Sequence, residues 1–254
     1  MTRKVLVDGD IIAYRAAFAT QDGSEGDAQS KTDELLSYIW DKTIDIPFPS
    51  EEDFHVYLTG SNNFRVEVAK TAVYKGNRKK VEKPQYLEVI RQHILANYPC
   101  TVAEGEEADD AIAIEATRLG PDAVIASIDK DFLQVPCTHY NFVKDEWITV
   151  EEFDGLRFFY TQVLTGDAVD NIKGLYRVGP VKAGQMLEGI TTEVGLYEAC
   201  MDAYLTSKEG LMVDLKDRPQ WAYERVLENA RLLWLRRYEG QMWTPPEVTE
   251  ESLG

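Results

Sequence analysis

The 254-residue sequence has few of the residues that build disulfide or zinc scaffolds. Its three cysteines, Cys100, Cys137 and Cys200, lie far apart without a C-x-x-C spacing, and it has only three histidines. Isolated cysteines in odd number argue against a disulfide framework and for a reducing compartment. So few histidines argue against histidine-based zinc chemistry.

Long apolar runs are also missing. Only a three-residue apolar run precedes Asp8, and no later stretch reads as a secretory h-region or a membrane span. We therefore expect a cytoplasmic protein that does not contact a membrane. Hydrophobic residues still make up 44% of the chain, which is enough for a sizeable core.

Basic residues are outnumbered, 27 against 44 acidic ones, and the formal net charge is −17. This balance ordinarily disfavours a polyanionic partner. The distribution is uneven, however: residues 65–91 carry eight basic and three acidic residues, and residues 171–184 carry three basic residues and no acid. Two basic segments could bind a phosphate backbone, and an acidic segment beside them could bind the metal that the backbone would meet.

The acidic segment is Glu104–Asp131, with nine acidic residues and two basic ones. One acid cluster opens a predicted helix, and Asp129 and Asp131 follow a predicted strand over 123–128. Carboxylates packed this closely repel one another unless a cation lies among them, and oxygen ligands suit hard divalent ions. Helix capping is the alternative for both clusters. An EF-hand fits poorly, because Leu133 occupies the third ligand position.

The order of predicted elements indicates an α/β fold. Apolar runs predict strands over 4–7, 55–58, 101–103 and 123–128, and a hairpin over 140–150. Helical periodicity predicts helices over 11–19, 32–44, 153–164, 202–206 and 223–237, and one that begins at Pro84. We predict a loop over 20–30. Alternating strands and helices predict a mostly parallel sheet with helices on both faces, whose strand ends bring Asp8, Asp129 and the Glu104 region to one edge.

We divide the chain into three parts. Residues 1–150 are predicted to form the α/β core, with a clamp at about 62–83. Residues 151–239 are predicted to form a helical lobe in which the arginines of 223–237 face solvent, and 240–254 a disordered tail.

The acids fall into two groups, each of which could hold one ion. The first is Asp8, Glu107, Asp109 and Asp110, and the second is Asp129, Asp131, Asp167 and Asp170. Phosphoryl-transfer sites commonly hold two divalent ions about 4 Å apart. Carboxylates and water suit Mg²⁺ or Mn²⁺.

The glycine-bounded hairpin over 165–183 is a second candidate site. Its glycines would let backbone N–H groups approach phosphate, and three cations, Lys173, Arg177 and Lys182, add charge. Pro180 suits the first turn of a following helix. The alternative is an ordinary helix–turn–helix packing corner.

Five motifs occur in the order found in a known family. They are D-G-D at 8–10, Y-K-G-N-R at 74–78, E-G-E-E-A-D-D at 104–110, D-K-D at 129–131 and G-D-A-V-D-N-I-K-G…V-G-P-V-K-A at 166–183. Together they resemble the flap endonuclease / 5′-nuclease family, especially the bacteriophage 5′→3′ exonucleases. The 5′-nuclease domain of bacterial DNA polymerase I is a relative. The resemblance covers roughly residues 4–190.

The resemblance implies a central sheet, a helical clamp, a helix-3-turn-helix DNA-binding element and Mg²⁺-dependent hydrolysis of DNA at 5′ ends or flaps, in phage replication, primer removal or recombination. The eight carboxylates match the family's metal ligands, for two ions. Lys75 and Arg78 match a basic pair that contacts the scissile phosphate, and Tyr74 would stack on a terminal base. Gly174, Gly179 and Lys182 fall in the element that grips the duplex, often with K⁺. We expect a monomer without a sliding-clamp tail.

Two features depart from the family pattern. Thr59-Gly60-Ser61 stands where members often carry an Asp, so the first metal would be held more weakly unless Asp10 or water substitutes. The clamp segment is also short, and an open clamp would favour exonuclease work over threading of a flap.

Two other functions fit part of the sequence. V-L-V-D-G-D resembles the nucleophile motif of haloacid-dehalogenase-type phosphatases, although Ile12 replaces their usual Thr. That function leaves 74–78 and the glycine hairpin unexplained. A non-catalytic DNA-binding module would use the hairpin alone, and would leave the acids without a purpose, because near DNA they cost affinity unless metal neutralises them.

Overall fold

The computed structural model of the protein describes residues 3–44, 53–80 and 82–247. The described elements, in chain order, are β1 (Lys4–Asp8), α1 (Gly9–Ala19), α2 (Glu25–Thr43), β2 (Phe54–Thr59), α3 (Arg65–Val68), α4 (Leu87–Asn97), β3 (Cys100–Ala103), α5 (Ala108–Leu119), β4 (Ala123–Ala126), β5 (Thr138–Asn141), β6 (Glu146–Thr149), α6 (Glu152–Thr165), β7 (Gly166–Asp167), β8 (Ile172–Lys173), α7 (Pro180–Met186), α8 (Glu193–Thr206), α9 (Lys208–Leu211) and α10 (Arg218–Leu233). Short 3₁₀ turns cover Gly76–Lys80, Gly120–Asp122 and Lys130–Gln134.

Six strands form one sheet in the order β3-β2-β1-β4-β5-β6. All neighbours are parallel except β5 and β6, which pair antiparallel. The carboxyl ends of β1 and β4 therefore lie side by side at one edge, the usual ligand-binding edge of an open α/β sheet. The predicted α/β class with a mostly parallel sheet is confirmed.

The chain divides into two compact units, which differ from the predicted parts. Unit 1 comprises residues 1–63, 81–150 and 235–239, and unit 2 comprises 64–80, 151–234 and 240–254. Residues 64–80 of the predicted clamp thus belong to unit 2, and a short segment after α10 belongs to unit 1.

Alternating side chains of the strands give unit 1 a core on each face of the sheet. Val5 and Val7 pack with α1, α2 and α4, whereas Leu6 packs with α5. Strands covered on both faces read as continuous apolar runs, and β1 and β4 do so. Unit 2 has its own core, in which α6, α8 and α10 pack around side chains such as Phe159 and Tyr204.

Several predicted boundaries are wrong. Helix α2 begins at Glu25, inside the predicted loop over 20–30, because Ser24 and Asp27 cap each other's backbone N–H groups. Helix α4 begins at Leu87, not at Pro84. Gly240 was predicted to begin a disordered tail, but Trp243 is 4% exposed and packs in the core of unit 2. Residues 248–254 of that predicted tail lie outside the described residues.

Among the described residues, no helix is both long enough and apolar enough to cross a membrane.

Candidate active site

Asp8 ends β1 and is the N-cap of α1. Its side chain is 2% exposed; Oδ1 accepts a hydrogen bond from Ile11 N at 3.1 Å and Oδ2 accepts one from Ser127 Oγ at 2.7 Å. Burial, with a smaller contribution from the charges of Asp10 and Asp129, raises the pKa of the Asp8 carboxyl to about 7, against the lowering effect of these two hydrogen bonds. A buried carboxylate beside other acids is a position where a cation would be stabilised.

Close packing fixes the turn that follows Asp8. A Cβ on Gly9 would lie 2.6 Å from both Tyr57 O and Val56 Cγ1, closer than any side chain can approach. The glycine of the D-G-D motif therefore lets α1 begin directly against β2.

Ser127 joins the ends of β1 and β4. Besides donating to Asp8, its hydroxyl accepts a hydrogen bond from Asp129 N at 3.0 Å, and its side chain is buried. Asp129 caps the next 3₁₀ turn, with Oδ1 accepting from Asp131 N at 2.9 Å. The structure thus brings Asp8 and Asp129 to one hydroxyl, as the strand order predicts. We did not predict that Ser127 belongs to the site, although its position at the end of a strand, two residues before Asp129, could have indicated it.

Two acids at the start of α5, Glu107 and Asp110, are buried and cap the helix. Glu107 is the N-cap, and its N–H donates to Asp110 Oδ2 at 3.2 Å in a reciprocal capping box. Asp110 is fully buried, and Glu107 is 9% exposed, whereas Asp109 is half-buried. The capping alternative is therefore confirmed for Glu107 and Asp110. Capping alone does not require a carboxylate to be fully buried, so the ligand hypothesis stays a prediction.

Asp10, which the sequence offers in place of an Asp after β2, is held by partners within unit 1, and its role as a substitute ligand stays a prediction. Its Oδ1 forms an ion pair with Arg91 Nη1 at 2.6 Å, and its Oδ2 accepts from Thr59 N at 3.0 Å. Thr59 Oγ1 in turn accepts from Ala108 N at 2.9 Å, and Arg91 Nη2 donates to Thr59 O. The Thr59 hydroxyl therefore accepts a hydrogen bond from the first turn of α5, and Asp10 connects α1 to β2 and α4.

In unit 2, Asp167 and Asp170 begin and end one tight turn. Asp167 Oδ1 accepts from Val169 N at 2.7 Å, and its side chain is 8% exposed. Asp170 Oδ1 pairs with Arg78 Nη2 at 2.6 Å, and its Oδ2 lies 3.7 Å from Lys75 Nζ. Asp170 is therefore in contact with both cations of the predicted basic pair.

Tyr74 is buried, against our prediction. It is 8% exposed, its ring belongs to the core of unit 2, and its hydroxyl donates to Asp170 Oδ2 at 2.9 Å. A ring in this position has no open face on which a terminal base could stack. Tyr74 instead anchors the basic pair to the Asp167–Asp170 turn.

The glycine hairpin begins as a pair of two-residue strands, β7 and β8. A Cβ on Gly174 would lie 2.1 Å from the carbonyl carbon of Thr165, so packing inside the protein already requires a glycine there. Gly179, the N-cap of α7, has open space around it. Pro180 lies in the first turn of α7, as predicted. The three predicted cations, Lys173, Arg177 and Lys182, are exposed.

The donor atoms fit hard divalent cations. Every predicted metal ligand is a carboxylate, a type that Mg²⁺ and Mn²⁺ prefer. Within the described ranges, no three His, Cys, Asp or Glu side chains are grouped closely enough to hold a metal ion. That six carboxylates of unit 1 and two of unit 2 serve one centre stays a prediction.

Comparisons with known proteins agree with the motifs. Residues 3–159 match the family described as "5'-3' exonuclease, N-terminal resolvase-like domain". DNA polymerase I of Rhizobium leguminosarum is 37% identical over 131 residues, which are 45% of this chain and 13% of that protein. Flap endonuclease Xni of Shewanella baltica is 27% identical over 205 residues, 74% of this chain and 75% of the relative. The chain thus spans only a small part of the polymerase.

Solved structures share the fold. The T5 D15 protein co-crystallised with metal ions has a TM-score of 0.64 and 18% identity, covering 90% of this chain and 88% of the other. A bacteriophage T5 D15 flap endonuclease in a pseudo-enzyme-product complex with DNA and metal ions also has a TM-score of 0.64 and 18% identity, over 89% and 88%. The family match covers more than half of the sequence, and the chain therefore belongs to the 5′–3′ exonuclease family.

Proposed function

We propose that this protein is a divalent-metal-dependent 5′-nuclease that hydrolyses DNA phosphodiesters at 5′ ends or flaps. One observation carries the proposal: in a member of this family, the buried carboxylate of Asp8 accepts from the hydroxyl of Ser127, which itself accepts from the backbone N–H of Asp129, at the ligand-binding edge of the sheet. The Shewanella relative is named a flap endonuclease, and the T5 structures contain metal ions.

The metal ligands in this proposal are the eight carboxylates in two groups, for two Mg²⁺ or Mn²⁺ ions. Bound metal would supply an activated water and stabilise the leaving oxygen. The side chains contribute orientation: Ser127 fixes one oxygen of Asp8, and backbone N–H groups fix Asp110, Asp129 and Asp167. Each carboxylate then meets a cation without rotating first, which lowers the cost of binding.

Lys75 and Arg78 are the proposed phosphate contacts. Their contact with Asp170 holds two long side chains in place. Cations aimed at the phosphoryl oxygens stabilise the negative charge that develops there during hydrolysis. We therefore expect Lys75→Ala to slow the chemical step more than it weakens DNA binding, as measured by single-turnover rates and by binding in Ca²⁺.

The proposed duplex contact is the hairpin between α6 and α7. Its cations are exposed, and the open space around Gly179 leaves the backbone accessible to a phosphate. Because Gly174 is required by internal packing, its presence does not count toward this proposal. The K⁺ that the family often binds at this hairpin stays a prediction.

The shape of the clamp bears on substrate choice. Within residues 64–80, the helical structure is limited to the four-residue α3 and one 3₁₀ turn. A clamp this short favours digestion from a plain 5′ end over threading of a single-stranded flap. Comparing initial rates on a blunt 5′ end and on a long flap tests this, and a strong preference for the flap would contradict it.

The test of the main proposal uses duplexes labelled at either the 5′ or the 3′ end, digested with and without Mg²⁺. A 5′-nuclease releases short labelled products from the 5′-labelled strand and leaves a shrinking ladder from the 3′-labelled strand, only when metal is present. Asp129→Asn is the inactive control, which should still bind DNA in Ca²⁺. Undiminished turnover of this variant, or cleavage without metal, would refute the proposal.

Two alternative functions lose support from these findings. Ile12, which stands where the phosphatase motif has Thr, is fully buried in the core of unit 1 and carries no chemistry. A non-catalytic DNA-binding module would not need the buried Asp8 and Asp110. Removal of 5′ segments during replication or recombination is the role we propose within the nuclease function.

A further inference from the structure

A short segment after α10, residues 235–239, belongs to unit 1 and is called the strap here. Leu235 is 4% exposed and packs in the core beside α5. We predicted that Arg236 and Arg237 form a solvated face. That prediction is wrong, because only 11% of the Arg236 side chain is exposed and Arg237 is half-buried.

The strap hydrogen-bonds to the acid cluster of α5. The backbone N–H of Arg236 donates to Asp110 Oδ1 at 3.2 Å. Its guanidinium forms an ion pair with Glu106, with Nη1 to Oε2 at 2.9 Å, and both side chains are largely buried. Asp110 Oδ2 already accepts from Glu107 N, so each oxygen of the Asp110 carboxylate has a fixed backbone partner.

The strap also bonds to the end of the 3₁₀ turn that carries Asp131. Leu235 N donates to Gln134 Oε1 at 3.3 Å, and Arg237 Nη2 donates to Gln134 O at 2.7 Å. Gln134 is 2% exposed. Burial lowers the pKa of the Arg237 guanidinium to about 10, a shift that the neighbouring Cys137 and Asp110 partly oppose. Arg237 therefore remains cationic at neutral pH.

We propose that Arg236 is a positioning residue for the metal centre: its guanidinium, paired with Glu106, holds the strap in the place from which the backbone N–H of residue 236 orients the Asp110 carboxylate and from which the strap fixes the turn that carries Asp131. The inference rests on the proposed function, because it gives these two carboxylates a metal to hold. It adds a residue some 126 positions from Asp110, outside every motif that identifies the family.

The physical reason is the balance of charge and geometry at α5. Glu106, Glu107, Asp109 and Asp110 follow one another closely, so their charges repel and favour splaying of the first turn. The guanidinium of Arg236 offsets one of these charges in a poorly solvated position, where pairing counts most. Partners of metal-binding carboxylates typically change metal affinity or activity by about 10- to 100-fold when they are mutated.

The experiment compares Arg236→Ala, Arg236→Lys and wild type. The first readout is Mn²⁺ affinity in the absence of DNA, measured from the electron paramagnetic resonance of free Mn²⁺. We expect Arg236→Ala to bind Mn²⁺ about 10-fold more weakly, at the lower end of that range, because the backbone N–H that contacts Asp110 is retained. Arg236→Lys should recover part of the loss, because Lys keeps the charge but not the planar geometry. The matched control is Arg118→Ala, which removes an exposed arginine paired with Glu115 on the same helix.

The second readout separates positioning from folding. At fixed Mg²⁺ near the wild-type half-saturating concentration, Arg236→Ala should lower kcat, and excess Mg²⁺ should restore most of it, while KM for DNA changes less than twofold. General destabilisation would instead lower the melting temperature without a response to metal. Should Arg236→Ala not fold, Arg236→Gln keeps a hydrogen-bond donor and gives the same two readouts.

Wild-type Mn²⁺ affinity together with wild-type kcat in Arg236→Ala would overturn the inference while leaving the nuclease proposal intact. Failure of the nuclease proposal looks different: the wild-type protein itself would show no Mg²⁺-dependent cleavage of either labelled duplex.

Discussion

Removing the hydroxyl of Ser127 tests how the proposed metal centre is organised. Ser127→Ala deletes the hydrogen bond to Asp8 Oδ2 and takes away the acceptor for Asp129 N. Both partners are candidate ligands, and the hydroxyl is their common contact. Alanine fits the space, so the change removes the bonds without adding bulk.

The expected loss of Mg²⁺ affinity follows from the strength of the hydrogen bonds that Ser127 makes. A hydrogen bond to a charged group contributes about 1.5–3 kcal/mol, and about 1.4 kcal/mol corresponds to a factor of ten. If the whole bond energy orients Asp8 for metal, half-saturation should need about 10- to 150-fold more Mg²⁺. The unpaired N–H of Asp129 should cost a further 1–3 kcal/mol or so of folding free energy.

The assay is the initial rate of 5′-end digestion over a Mg²⁺ series, with urea denaturation of the same samples. Ser30→Ala is the control, because it removes a hydroxyl from an exposed position of α2. A half-saturating Mg²⁺ concentration within twofold of wild type would refute the view that Ser127 orders the Asp8 carboxylate and the backbone at Asp129. So would an equal effect in the control.

Three further predictions concern unit 2. Lys182→Ala should weaken duplex binding and reduce the slope of log K against log salt by about one, whereas an unchanged slope would exclude a phosphate contact. Burial raises the pKa of Glu228, but hydrogen bonds from Thr71 and Lys70 and the charge of Arg225 lower it by more, so its pKa lies below 4.5. The ionised Glu228 therefore stabilises the fold above about pH 4.5, and this stabilisation is lost as the pH falls through its lowered pKa. Glu228→Gln should make the free energy of unfolding depend less on pH in the acidic range, and an unchanged pH dependence contradicts this. Arg65 is 2% exposed and donates to Leu232 O and Trp234 O, so Arg65→Ala should cost about 3–5 kcal/mol in urea denaturation, and a loss under 1 kcal/mol would count against that anchor.

Much of the fold follows from local sequence. The apolar runs of β1 and β4 are continuous because both faces of the sheet are covered there, and such runs are easy to locate. The start of α2 was missed because its first turns are polar and its capping box uses Asp27 in place of the usual Glu. The unit boundaries could not be predicted, because residues 64–80 and 235–239 join their units through distant partners.

The residues of the candidate site also fall into those that local sequence predicts and those that depend on distant partners. The acids were predicted because they stand in short motifs whose spacing carries information. Ser127, Arg91 and Arg236 were not predicted as partners of acids, since Asp8, Asp10 and Glu106 lie 119, 81 and 130 residues away. Tyr74 shows the reverse error: the resemblance implied a ring that stacks on a terminal base, and only its packing shows that the ring is buried.

The close packing at Gly9 affects how mutational data on this motif should be interpreted. A saturation screen for activity would rank Gly9 beside Asp8, and a tally of intolerant positions would assign both to chemistry. Gly9→Ala, however, should remove the folded protein from the cell extract, because its methyl group has no room against β2. Asp8→Asn should leave soluble protein at the normal level. Measuring protein abundance together with activity would therefore distinguish a substitution that prevents folding, at Gly9, from one that removes a proposed metal ligand, at Asp8.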